Sequence, residues 1–121
     1  MNATYGFHAT ITAQPGKGHE LVEYFLGVAS GRGPGPGTAE DCVLFLVGRS
    51  ESDPDTVFVT EGWTTKDAHE RFFASDAAKA VMEGSQEMVA DAAYLDEVPV
   101  GGKFPAAKQV SIAGSSPAGG H

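Results

Sequence analysis

Four histidines, one cysteine, one tryptophan and a Glu-Gly-Trp run hold most of the chemistry open to this chain. His8, His19, His69 and His121 lack the i, i+3 or i+4 pairing that sets two ligands on one helix face. No His-x-Glu or Cys-x-x-Cys pair joins them, so no metal site is expected. The lone Cys42 excludes an internal disulfide. It stands in an apolar run with no base near it, which reads as a buried structural thiol rather than a nucleophile. The glycine-rich residues 31–37 look superficially like a phosphate loop but lack the Lys-Ser or Lys-Thr ending and a following helix start. Two features survive. Glu61 shares a strand face with Trp63, as either a cavity acid or one end of a structural ion pair. His69 belongs to the residue type that exchanges protons near neutral pH, with an ordinary pKa of about 6.5. The run His69-Glu70-Arg71 also reads as the wet face of a helix.

These residues need elements to position them. Tyr5, Phe7, Ala9, Ile11 and Ala13 alternate with Gly6, His8, Thr10 and Thr12, the period of a strand with one apolar face. After a Pro15-Gly16 break, Leu21, Tyr24, Phe25 and Val28 form one stripe of an amphipathic helix over 19–30. Residues 31–37 form a flexible connection that is neither helix nor central strand. Cys42–Arg49 is apolar on both faces, the mark of a strand covered twice. Asp53-Pro54-Asp55 turns the chain, and 57–63 is the next strand, in an antiparallel hairpin with the one before. A helix starts near Thr65 with Ala68, Phe72 and Phe73 inward. A second segment, capped by Ser75 or Asp76, carries Ala80, Val81, Met88 and Val89, with Gly84 weakening its middle. The last strand is expected over 93–98, before Pro99. Residues 101–121 form a Gly/Ala/Ser/Pro-rich tail with Phe104, Val110 and Ile112 as anchors.

The order β-α-β-β-α-β predicts a ferredoxin-like α+β fold, a four-stranded antiparallel sheet with helices on one face, within residues 1–100. Helices cover one face only, so the doubly apolar second strand points to a homodimer packed sheet against sheet. The chain of 121 residues suits one domain with its own core. Sixteen acidic residues against eight basic ones, a net charge of -8, exclude nucleic acid and anionic membranes as partners. No run reaches the ~18 apolar residues of a membrane span. The first residues lack a signal peptide's basic and apolar regions, so a cytoplasmic location is expected.

The stretch from Arg49-Ser50 through the Asp53-Pro54-Asp55 turn, Glu61-Gly62-Trp63 and Ala68 resembles the antibiotic biosynthesis monooxygenase (ABM) domain family. The resemblance implies a dimeric α+β barrel with an apolar cavity between sheet and helices. It also implies oxidation of electron-rich aromatic or quinol-like substrates by molecular oxygen, with no metal or flavin cofactor. Such a substrate, once deprotonated, supplies the electron itself. The protein then provides a dry pocket, a proton acceptor and hydrogen bonds to the anion. The chain departs from the family at Phe72 and Ala77, where histidines are frequent, and at Val59, where some members have asparagine. Haem degradation does not carry over, since Phe72-Phe73 stands where the iron-ligating helix histidine is needed.

On that resemblance the expected catalytic residues are His69, Trp63 and Arg49. His69 stands where some members have a proton-handling tyrosine and would be the base. Trp63 would stack on a planar substrate, or else simply pack in the core. Arg49 would hold a phenolate or peroxide anion, or else make a surface ion pair. Tyr5, Phe7, Phe45, Val59, Glu61, Phe72 and Phe73 are the expected substrate-binding residues. His8, on the opposite strand parity, points toward the dimer interface. The leading expectation is a cofactor-independent monooxygenase acting on a small aromatic, hydroquinone or polyketide-like molecule. The alternatives are a cyclase or isomerase using the same base, and a non-catalytic accessory dimer that binds a small molecule.

Overall fold

A computed structural model describes residues 2–31 and 35–102. Residues 103–121 of the expected tail, with its three anchors, and part of the glycine-rich connection lie outside the described residues. Four strands, β1 (Tyr5–Ala13), β2 (Cys42–Arg49), β3 (Thr56–Trp63) and β4 (Val89–Glu97), form one antiparallel sheet in the order β2-β3-β1-β4. Helices α1 (Gly18–Ala29), α2 (Lys66–Phe73) and α3 (Asp76–Ser85) complete the ferredoxin-like βαββαβ plan that the alternating patterns predict.

The inner sheet face and the α1 stripe make the core. Leu21 and Val57 are fully buried, joined by Ala9, Ile11, Phe25 and Val59. Burying a side chain of that size is worth about 1.5–3 kcal/mol, so this cluster anchors the layer of helices. A second, smaller cluster gathers Tyr5, Trp63 and Ala68 where α2 meets the sheet. The Asp55 carboxylate, at the end of the β2–β3 turn, accepts the backbone N–H groups of Gly16 and Gly18 at 2.9 Å each. It satisfies donors at the start of α1 that no side chain of the helix itself caps. Gly18 is required there, because a Cβ would collide with the Pro54 carbonyl oxygen. Thr65 caps α2 by accepting the Ala68 N–H at 3.0 Å, and Ser75, rather than Asp76, caps α3 through the Ala78 N–H at 3.2 Å.

Two expectations are corrected. The helical segment does not run on to Met88 and Val89. It stops at Ser85, a 3-10 turn spans Gln86–Met88, and β4 begins at Val89 rather than residue 93. The reason is the free edge of β1, which pairs with β4 from Gly6↔Glu97 to Ala13↔Val89. The glycine-rich connection also ends in a 3-10 turn, Pro36–Thr38, with proline at its start where the missing N–H costs nothing. Gly84 has a use in α3: a Cβ there would strike the hydroxyl of Tyr24, which donates to the Val81 carbonyl at 2.8 Å.

The opposite sheet face carries Leu46, Thr60, His8 and Leu95 in one row across the four strands. Leu46 is 60% and Leu95 65% exposed, and Phe58 on the same face is 41% exposed. His8 sits on this face, where its ring nitrogen pairs with Glu97. No helix of the described residues is long and apolar enough to cross a membrane.

Candidate functional site

Between sheet and helices lies a cavity of about 300 Å³, at the lower end of the range for small-molecule sites. Phe7, Ala9 and Ile11 of β1, Phe45 of β2, and Val59 and Glu61 of β3 form its floor. Phe72 and Phe73 of α2 close one side. Ala78, Val81, Met82 and Ser85 of α3, with Gln86, form another side, and Ala92 and Tyr94 of β4 complete the rim. Strand alternation explains the floor. Phe45, Glu61 and Phe7 are cross-strand partners, so a single inward-facing row presents two aromatic rings flanking one carboxyl.

Glu61 is the only acidic or basic side chain on this wall among the described residues. It is 8% exposed, and its Oε1 accepts the Trp63 indole N–H at 2.8 Å. Burial disfavours the carboxylate and lifts its pKa from the ordinary 4.5 to about 7, the Trp63 hydrogen bond offsetting only part of that rise. A carboxyl balanced near neutrality on an apolar wall can accept a proton from a bound hydroxyl and return it.

Behind Glu61 stands His69, 5% exposed and ringed by Tyr5, Phe7, Trp63 and Phe73 at centroid distances of 4.7–5.3 Å. Its Nε2 is 3.9 Å from Glu61 Oε1, too far for a hydrogen bond, and has no hydrogen-bond partner among the described residues. Burial depresses the His69 pKa, while Glu70 and Asp96 push the other way, so the ring is neutral at pH 7. Tyr5 is held above its ordinary value by burial and by the negative charges of Asp96, Glu70 and Glu61. Lys66 Nζ lies 6.0 Å over the Tyr5 ring. Burial, reinforced by Glu61, pushes the Cys42 thiol up to about 12, in keeping with a structural thiol.

The structure thus brings Trp63, His69 and Glu61 together and sets Phe7, Phe45, Val59, Phe72 and Phe73 around the cavity. Tyr5, Trp63 and His69 lie behind the wall rather than on it, and His69 is buried rather than on a wet helix face. Arg49 is elsewhere. It is exposed at the end of β2 opposite Val57, about 13 Å along the strand from Phe45. An anion held at Glu61 is therefore out of its reach. Sequence reasoning missed Met82, Ser85, Gln86 and Tyr94. Tyr94 shares the parity of Ala92 along β4, and that alternation was the available signal. Among the described residues no group of three or more His, Cys, Asp and Glu side chains is arranged to hold a metal ion.

An antiparallel ferredoxin-like sheet under an apolar cavity, with one buried acid on its floor, defines the class of small α+β proteins to which this chain is similar. The profile of the antibiotic biosynthesis monooxygenase (ABM) family matches residues 4–84, and the chain belongs to that family. Among solved structures it is similar to a candidate antibiotic biosynthesis monooxygenase from Chloroflexus aurantiacus, at 23% identity and a TM-score of 0.69, covering 83% of this chain and 96% of that one. A counterpart from Caulobacter crescentus shares 22% identity at a TM-score of 0.69, covering 83% and 92%. A protein from Pseudomonas aeruginosa shares 17% identity at a TM-score of 0.69, covering 84% and 98%. At these identities the likeness is one of fold. A comparison with curated proteins finds no match.

Proposed function

We propose that the chain is a cofactor-independent monooxygenase of small hydroxyaromatic or hydroquinone-type molecules, with Glu61 rather than His69 as the base. The observation that carries this reading is the Glu61 carboxyl, the one carboxyl on the apolar wall among the described residues, shifted to about 7. The substrate ring lies between Phe7, Phe45 and the α2 phenylalanines and gives its acidic proton to Glu61. Trp63 holds the carboxyl in place, and His69 fills the space behind it. The resulting anion passes one electron to dioxygen, and the two radicals combine into a hydroperoxide at carbon. Loss of water leaves a carbonyl, with one oxygen atom in the product and the other in water. The substrate supplies all four electrons, so no redox cofactor enters the balance.

The working form is a homodimer joined through the outer sheet face. Leu46, Phe58 and Leu95 support that assembly, because an exposed apolar sheet face of this kind marks an interaction surface.

Oxygen uptake with a panel of hydroquinones and anthrone-like compounds, in the presence of a chelator, tests the activity. Uptake falling at least 100-fold in Glu61→Gln is expected, the scale on which a general base contributes. Substrate turnover without oxygen uptake, or with product of unchanged mass, would replace the oxygenase with a cyclase or isomerase using the same base.

A further inference from the structure

The wall of the cavity is uniform in one respect. Among the described residues it contains no lysine, arginine or histidine, and its polar groups are Glu61, Ser85, Gln86 and Tyr94. The Ser85 hydroxyl is turned to the Met82 carbonyl of its own helix at 3.2 Å. The charges acting on the titration of the Glu61 cluster are negative. Glu70 of α2 and Asp96 of β4 both act on His69 and Tyr5, and Glu61 acts on Tyr5 of β1 and Cys42 of β2. His69 of α2 and Trp63 of β3 face Glu61 as neutral groups. Lys66, over the Tyr5 ring, is not part of the wall.

We infer that the cavity sorts ligands by charge, admitting uncharged aromatics that carry a hydroxyl and refusing the carboxylates of the same rings. This rests on the cavity being the substrate site, as proposed above. A carboxylate entering it loses its water without gaining a counter-ion, and it meets ionised Glu61 as well. At pH 8 Glu61 escapes the repulsion only by taking up a proton, which disfavours binding about tenfold, and the lost hydration of an unpaired carboxylate adds to that. A neutral hydroxyl does the reverse: it donates to Glu61 and leaves the aromatic walls to cover the ring. Substrates therefore reach this protein only after any acid group on the ring system has been removed or masked.

The test is calorimetric binding of 2-naphthol, 2-naphthoate and 2-naphthylmethylammonium to the native protein at pH 8 and pH 5, and to Glu61→Gln at pH 8. At pH 8 the naphthol is expected to bind at least 100-fold tighter than the naphthoate. The gap should narrow about tenfold in Glu61→Gln. It should narrow likewise in the native protein at pH 5, where Glu61 holds its proton, so the result does not depend on the variant alone. Equal affinity of naphthol and naphthoate at pH 8 would overturn the inference, as would no binding by any of the three. Tighter binding of the ammonium than of the naphthol would overturn it in favour of a cation site. Naphthol bound with this preference, but no oxygen uptake on the substrate panel, would sink the oxygenase reading and leave charge selection standing. Uptake without a charge preference would do the opposite.

Discussion

Replacing Glu61 with glutamine separates what the residue does for the reaction from what it costs the fold. The carboxyl is 8% exposed, and burial raises its pKa from 4.5 to about 7. In the unfolded chain it titrates near 4.5. Below that pH both states are protonated and the fold bears no charge penalty. As pH rises from 4.5 to about 7, the unfolded state loses its proton while the folded state keeps it, so stability falls. Above 7 the folded state bears a buried carboxylate, and the accumulated loss is about 3 kcal/mol at about 1.36 kcal/mol per tenfold. An amide has no such titration, and its oxygen can still accept the Trp63 N–H. Glu61→Gln is thus expected to match the native protein near pH 4.5 and to exceed it by about 3 kcal/mol at pH 8. His69 works in the opposite sense, since a depressed pKa costs stability as pH falls, but it is present in both proteins and cancels in the difference. Urea unfolding followed through Trp63, the single tryptophan, gives the readout at one fixed protein concentration. With an m-value of about 2 kcal/mol/M, the midpoint at pH 8 should rise by about 1.5 M. A variant as stable as the native protein at pH 8, or less stable, would refute the argument that burial raises this pKa. A gain in stability joined to a loss of turnover would mark Glu61 as a group held for chemistry at the fold's expense.

Three further outcomes are expected. Thr65→Ala should lower stability by about 1 kcal/mol in urea, because it removes the acceptor of the Ala68 N–H at an exposed position; an unchanged midpoint would contradict the capping role. Cys42 should resist disulfide reagents at pH 8 until urea unfolds the chain, its thiol being pushed up to about 12, and prompt labelling of the native protein would contradict that. Leu46→Arg places a charge in the exposed row of the outer sheet face and should shift a dimer to a monomer in sedimentation velocity; a native protein that already sediments as a monomer would remove the proposed assembly.

Much of the fold is legible in the sequence because its signals are local. The alternation in Tyr5–Ala13, the stripe Leu21, Phe25 and Val28, and the Asp53-Pro54-Asp55 turn each fix their own element. The boundary between α3 and β4 is not, since Met88 and Val89 satisfy a helical stripe as well as a strand and no glycine or proline divides them. Pairing with β1, more than seventy residues earlier in the chain, decides it. The site divides in the same way. Glu61 and Trp63 share a strand face, so their meeting follows from period two. The burial of His69 against Glu61 depends on how α2 docks across β3 and β1, which no spacing encodes. Arg49 has the right residue type at a strand end, but the depth of that end relative to the cavity is a tertiary quantity.

β1 precedes the other three strands of the sheet in the chain, and it takes a central place, between β3 and β4. Its edge toward β4 stays unpaired until residues 89–97 have been made, so the sheet cannot close before they are. Pairings that join the two ends of the described chain, such as Gly6 with Glu97, are the slow kind, because the loop must close before they contribute. A chain extended only through α3 therefore has an open edge on its central strand. Such an edge is open to pairing with a strand from another chain.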